Sequence, residues 1–270
     1  MGILNITPDS FYDGGKYTSP DTMLAQAEKM VKDGADIIDL GGYSSRPGAE
    51  AISIPEETNR VIGAIRALTR HFPDTPISID TFRSQVAASA VQEGASMIND
   101  ISGGELDRDM FATVARLNVP YILMHLRGDP QTMAKLTVYE NLTKDLISYF
   151  HQKIFALGQL GVKDIIIDPG FGFAKTREQN FFLIHTLEDF HVFGKPLMVG
   201  LSRKSMIWKT LGCKPEQALN GSTALHAIAL YKGAGILRVH DVKEAVEVVK
   251  LLDEMKQATG ESGKIRNDKT

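Results

Sequence analysis

Cysteine is almost absent: Cys213 is the only one in 270 residues, so the chain can form neither an internal disulfide nor a zinc cluster built on thiolates, and a reducing compartment is expected. No apolar run approaches the roughly 18 residues that a membrane span requires. The N-terminus carries neither the basic region nor the apolar stretch of a signal peptide. An excess of charge of one sign is also missing, since 30 Lys and Arg against 33 Asp and Glu leave a formal net charge of -3. That balance offers no broad surface for nucleic acid or anionic lipid, so any phosphate chemistry must be local. A cytoplasmic protein that binds neither nucleic acid nor a membrane is expected. There is no internal repeat, low-complexity tract or Pro/Ser-rich linker, which favours one domain over two.

What is present is a core-forming composition, 43% hydrophobic and 23% charged. Eight short, uniformly apolar runs alternate with longer segments of helical period, the pattern of βαβ units on a parallel sheet. They are Gly2 to Ile6, Asp36 to Leu40, Ile77 to Asp80, Ser96 to Asp100, Pro120 to Met124, Asp164 to Asp168, Leu197 to Gly200 and Ile236 to Val239. Eight strands suggest closure into a (β/α)8 TIM barrel, with the first strand pairing with the last. The alternative is an open doubly wound sheet, and no Gly-x-Gly-x-x-Gly turn follows the first run to support it.

The flanking helices carry recognisable ends. Ser19 and Pro20 start a helix whose stripe is Met23, Ala27, Met30 and Val31, stopped at Gly34. Asp241 and Glu244 fit a capping box for the last helix, with Val242, Ala245, Val246, Val249 and Leu252 on its apolar side. The barrel is expected to span residues 1–258 and to be followed by a polar tail, 259–270.

Polar residues collect at the strand ends, where barrels of this kind build their sites: Asn5, Asp39, Asp80, Asn99, Asp100, His125, Asp168, Lys204, Arg238 and His240. Any one of them could merely cap the next helix, a reading that fits Asp39 and Asp100 best. As a ring of acids, amides and bases they suit a small-molecule site. The loops after strands 7 and 8 bring Lys204, Ser205, Arg238 and His240 together, a donor set suited to a diphosphate. Two long Gly- and Pro-rich loops, 7–15 and 41–48, have the character of lids, and Phe11 and Pro47 would be exposed apolar residues there unless they meet a ligand.

In order along the chain, the stretches GILNITPDSFYDGG, IIDLGGYSSRPGA, SIDTFRSQVA, MINDISGG, ILMHLRGDPQTM, IIIDPGFGFAKT, VGLSRKSMI and ILRVHDV resemble the dihydropteroate synthase family, from residue 2 to about residue 250. The resemblance implies a pterin-binding barrel that condenses 7,8-dihydropterin-6-ylmethyl diphosphate with p-aminobenzoate. The products would be 7,8-dihydropteroate and diphosphate, as in folate biosynthesis. On matching positions it implies pterin binding by Asp80, Asn99, Asp168, Lys204, Met124 and Phe173. It implies diphosphate binding by Asn5, Ser45, Arg238 and His240, with Asn5 as a Mg2+ ligand. The p-aminobenzoate slot would comprise Phe11, Pro47, Phe173, Lys204 and Ser205, and the catalytic set Lys204, Asp80, Asp13 and Arg46.

A homodimer and inhibition by sulfonamides are implied in the same way. Tyr43 and Ser45 depart from the family, in which many members carry glutamate and threonine at these positions. A corrinoid methyltransferase module on the same kind of barrel shares the Asp and Asn positions but needs neither the lysine of SRKS nor a diphosphate pocket, so Lys204, Arg238 and His240 favour the synthase. A non-catalytic pterin-binding protein would have little use for both lids and an anion site.

Overall fold

The computed structural model describes residues 1–6, 20–43 and 52–258. Its strands are β1 (Gly2–Asn5), β2 (Ile38–Gly41), β3 (Ile77–Asp80), β4 (Met97–Asp100), β5 (Tyr121–Met124), β6 (Ile165–Asp168), β7 (Met198–Val199) and β8 (Ile236–Leu237). The helices are α1 (Pro20–Lys32), α2 (Ile54–His71), α3 (Ser84–Gln92), α4 (Met110–Leu117), α5 (Leu142–Gln159), α6 (Arg177–His185), α7 (Ser205–Leu211), α8 (Leu219–Tyr231) and α9 (Val242–Ala258). Each described strand is followed by helix before the next strand begins. Between β7 and β8 there are two helices, α7 and α8, one more than simple alternation requires.

All six neighbouring pairs from β1 to β6 and from β7 to β8 are parallel, and two single bridges join these sheets into a closed barrel. Ile167 bridges Leu197, and Gly2 bridges Val239. The first strand thus meets the last, with Ile3 N donating to Val239 O at 2.9 Å and Val239 N to Met1 O at 3.0 Å. Both β7 and β8 are shorter than their apolar runs suggest. At their start the Leu197 carbonyl accepts from both Gly235 N (2.9 Å) and Ile236 N (3.1 Å), the ladder continues with Arg238 N donating to Val199 O at 3.0 Å, and beyond it Val239 pairs with Gly2 instead of with β7. The second strand is shifted as well, running to Gly41 rather than starting at Asp36.

Two apolar layers follow from the period-two alternation of strand side chains. Leu40, Ile79, Ile98, Leu123 and Ile167 face outward and are buried under the helices. Met1, Met97, Ile122, Ile166 and Met198 form a separate inner cluster that fills the barrel below its mouth. Helix α2 shows how the outer ring is written in sequence. Ser53 Oγ accepts from Glu56 N at 3.3 Å, Pro55 sits in the first turn, and Val61, Ala64, Ile65 and Leu68 form the buried face. In α1 Met23, Ala27 and Met30 are buried as expected, and Gly34, at φ +98°, ends the turn in a conformation that other residues rarely adopt. Ser19 lies outside the described residues, as does the tail 259–270. In α9 the buried face is Val242, Ala245 and Val248, while Val249 is 37% exposed, so the stripe is rotated from the expected one. The Asp241 carboxylate binds Arg203 rather than serving only as a helix cap.

Candidate active site

Strand phase decides which polar strand ends enter the barrel. Asn5, Gly41, Asp80 and Asn99 are successive register partners, as are Met124 and Asp168, so these residues share the inner face at the C-terminal mouth. Arg238, two residues beyond inward-facing Ile236, joins them. Its Nε donates to Asp39 Oδ2 at 2.6 Å and its Nη2 to Asp80 Oδ2 at 2.7 Å. Asn99 Nδ2 donates to the same Asp39 oxygen at 3.0 Å, which leaves Asp39 Oδ1 buried with no hydrogen-bond partner among the described residues. An orphaned acceptor in a pocket mouth is where a donor from water or ligand belongs. Burial works against the charge of Arg238, but Asp39 and Asp80 more than offset it and hold its pKa up. Burial also raises Asp80, opposed by Arg238.

Asp100 has the opposite phase. Its carboxylate points outward and accepts from Ser102 N and Oγ (both 2.7 Å), Gly104 N (2.8 Å) and Tyr121 Oη (2.7 Å), so it fixes the turn after β4. The helix-capping reading therefore fails for both: Asp100 ties a turn well ahead of α4, whose N-cap is Asp109, and Asp39 binds Arg238 and Asn99. His125 also lies outside the lumen, one residue past inward Met124, with its ring edge-on to Tyr149 at 4.8 Å between centroids.

The segment from Asp168 to Thr176 forms one wall. Burial raises the Asp168 carboxyl, with Lys204 pulling it down, and Asp168 Oδ1 accepts from Gly170 N at 2.8 Å. Lys204, at the start of α7, donates to the Phe171 carbonyl and lies 4.5 Å from the Phe173 ring centroid. Burial lowers its pKa to about 8, against the pull of Asp168. Phe173 is half-buried against a small apolar cluster that includes Met124 and Ile101. Behind the wall, Lys175 is 8% exposed, and its Nζ meets His125 Nδ1 (3.1 Å), Gly170 O (3.0 Å) and Phe173 O (3.1 Å). Burial lowers Lys175 to about 7, while Asp168 pulls it upward.

The loops after β7 and β8 are locked to each other. Arg203, in the left-handed region at φ +54°, forms a two-pronged pair with Asp241 at 2.7 and 2.8 Å. Ser202 Oγ accepts from His240 N at 3.2 Å and lies 3.1 Å from His240 Nδ1. Arg203 is thereby neutralised, and the loop presents Lys204 and the exposed Ser205 instead. At the second long loop, Arg83 touches both flanks. Its guanidinium lies 5.2 Å from the Tyr43 ring centroid and donates to Ile52 O at 2.7 Å, held from behind by buried Glu57 at 2.8 Å. The Tyr43 ring meets Phe82 edge-on at 5.1 Å.

Of the residues singled out from sequence, the barrel brings Asn5, Asp80, Asn99, Met124, Asp168, Phe173, Lys204 and Arg238 to one mouth, with His240 and Ser205 on its rim. Arg238 sits among carboxylates there. Phe11, Asp13, Ser45, Arg46 and Pro47 lie outside the described residues. Sequence reasoning passes over Lys175 and undervalues Asp39. The available signal for Lys175 is a lysine closing a glycine-rich loop just before Thr176, whose side chain and that of Gln179 make the reciprocal cap of α6.

The family model described as "Pterin binding enzyme" matches residues 1–240. A dihydropteroate synthase of Synechocystis sp. is 47% identical over 256 residues, covering 94% of this chain and 88% of the relative. The structure of Yersinia pestis dihydropteroate synthase with a sulfonamide drug superposes with a TM-score of 0.91 at 39% identity, covering 96% of this chain and 93% of that one. Xanthomonas albilineans dihydropteroate synthase with 4-aminobenzoic acid gives 0.87 at 38% identity, with 95% and 92% covered. With the family model spanning every strand and the relatives matching nearly the whole length, the chain belongs to the pterin-binding enzymes, in the dihydropteroate synthase family.

Proposed function

We infer that the chain joins 7,8-dihydropterin-6-ylmethyl diphosphate to p-aminobenzoate, releasing diphosphate and 7,8-dihydropteroate. The observation that carries this reading is the pairing, at one barrel mouth, of inward-facing acceptors, Asp80, Asn99 and Asp168, with two cations, Lys204 and Arg238. A pterin edge presents N–H groups that need carboxylate acceptors, and Asn99 can both donate and accept. The bond from the methylene carbon to the diphosphate oxygen breaks with its electron pair leaving on the diphosphate. The pterin ring delocalises the positive charge left on carbon, and the arylamine nitrogen then forms the new C–N bond and gives up a proton.

Arg238 and His240 are assigned to the departing diphosphate, with Ser45 from the second loop. Arg238 uses only Nε and Nη2 for Asp39 and Asp80, and a guanidinium has five N–H donors, so donors remain for an anion. Lys204 is assigned to the pterin and, through its stem, to the benzoate slot with Phe11, Pro47, Phe173 and Ser205. Asp13 and Arg46 complete the catalytic set from the two long loops.

Asn5 fits a magnesium ligand. Its Oδ1 lies where a Cβ on Gly41 would approach to 3.1 Å, so the glycine keeps that oxygen uncrowded, and Mg2+ commonly takes one or two protein oxygens plus substrate phosphates. When bound, the ion would supply positive charge to the leaving diphosphate. No described helix is long and apolar enough to cross a membrane, and a cytoplasmic location belongs to the same reading. So does a homodimer, supported by exposed Leu211, Ile228, Tyr231, Leu251 and Met255 on α7, α8 and α9. Sulfonamides that mimic p-aminobenzoate are expected to compete for its slot.

Incubating the protein with the two substrates and Mg2+ tests the reaction directly: dihydropteroate and diphosphate should appear in equal amounts, and their absence would reject it. Binding is expected to be ordered, because loops 7–15 and 41–48 supply part of the benzoate slot only when gathered around the diphosphate. Labelled p-aminobenzoate should bind about tenfold or more tightly once pterin, diphosphate and magnesium are present, since a slot populated a fraction of the time weakens affinity by that fraction. Equal affinity in both conditions would exclude the lid mechanism.

A further inference from the structure

None of the roles assigned so far uses Lys175, yet it is among the few charged side chains buried in the described fold. We propose that Lys175 is a positioning residue for the p-aminobenzoate slot, its ammonium anchoring the wall that presents Phe173 to the substrate. The inference rests on the condensation reading given above.

The argument begins with the backbone of the wall. Residues 170–174 contain two glycines at positive φ, Gly170 at +73° and Gly172 at +78°, and Ala174 at +49°, so no regular ladder or helix ties their polar groups. Apart from one turn bond, Phe173 N to Gly170 O at 3.2 Å, side chains do so instead. Lys175 Nζ takes the carbonyls of Gly170 and Phe173, Tyr139 Oη donates to Ala174 O at 2.9 Å, and Asn180 Oδ1 accepts from Gly172 N at 2.6 Å. The Phe171 carbonyl is held by Lys204. That last tie cannot persist through turnover, because Lys204 is the residue assigned to substrate. When its ammonium turns to the pterin, the Phe171 carbonyl is released, and the carbonyls on either side must be kept in place by something else. Lys175 holds both.

His125 completes the anchor. A lysine ammonium has three donors and no acceptor, so the contact at 3.1 Å requires His125 Nδ1 to accept and its proton to sit on Nε2. The three donors are thereby matched by three acceptors, one from the end of β5 and two from the wall after β6. His125 is held neutral by burial first and by Lys175 second, as this geometry demands. The pterin acceptors do not depend on the anchor to the same degree. Asp80, Asn99 and Asp168 end strands that are paired on both sides, whereas Phe173 is carried by the loop alone.

Lys175→Met keeps an unbranched apolar stem and removes the ammonium. In steady-state assays with each substrate varied in turn, the variant should raise KM for p-aminobenzoate by about tenfold while kcat and KM for pterin diphosphate stay within about threefold of the parent. Lys175→Arg should behave like the methionine variant rather than the parent, because a planar fork cannot bring one nitrogen within reach of three acceptors. A p-aminobenzoate KM within about twofold of the parent in Lys175→Met, parental behaviour of Lys175→Arg, or equal losses for both substrates would overturn the proposal. Should Lys175→Met fail to fold, the arginine variant decides by the same criteria, and failure of both to fold would make the lysine merely structural and overturn it too. A parent that forms no dihydropteroate would reject the functional reading before any variant is compared.

Discussion

Lys204→Ala is expected to lower kcat/KM for dihydropteroate formation by about 100- to 1000-fold, the usual cost of removing one aligned charge from a reacting centre. Several observations set the size of the effect. The Asp168 and Asp80 carboxylates favour the charged form of Lys204, and burial and the Arg238 guanidinium oppose it. Its stem packs over Gly172, where an added Cβ would approach Lys204 Cδ to 3.1 Å, and its ammonium lies over Phe173. Both substrates should therefore feel the loss. Folding should not, because the side chain's hydrogen bond to Phe171 O belongs to a wall that Lys175, Tyr139 and Asn180 also hold. Steady-state kinetics beside a thermal melt would check this, and near-parental turnover would remove Lys204 from the site.

Asp168→Asn should weaken pterin diphosphate binding by roughly 1 to 3 kcal/mol, or about 5- to 150-fold, through donors left unpaired in a closed pocket. The carboxylate has one oxygen engaged by Gly170 N and the other free to accept from the pterin. An amide of the same shape would present N–H groups where N–H groups already stand. It also removes the negative charge that opposes the lowering of both Lys204 and Lys175, so their ammonium forms become costlier to keep. Calorimetric titration with pterin diphosphate measures the loss, and equal affinity for variant and parent would defeat the assignment.

The eight strands were legible because each is a short run rich in apolar residues set between segments of helical period, and the closing contact of first with last follows from their number. The lengths of β7 and β8 were not, since the outer residues of those runs, Leu197 and Val239, bridge Ile167 and Gly2 of the neighbouring strands, a tertiary matter. The site shows the same division. That acids and amides crowd the strand ends is visible in the letters, but which of them face inward is a question of strand phase. Because both faces of these strands are buried, the letters do not say which face is the lumen. Asp39 and Asp100 look alike in sequence, yet one reaches Arg238 inside the barrel and the other ties a turn outside it. Lys175 was hidden for a related reason, as its value comes from a histidine fifty residues away and from two carbonyls whose direction only the folded loop defines.

The split of the barrel into six laddered strands and a two-strand pair divides labour. Asp80, Asn99 and Asp168, the acceptors that would recognise the pterin, lie at or next to the ends of strands in the larger shell. Lys204 and Arg238 follow the smaller panel, joined to the shell by a single bridge on each side. Shape is thus read on one part of the barrel and charge is delivered from another, so a catalyst of this design could be retuned for a different leaving group by altering the two-strand panel while the larger sheet keeps its grip on the ring.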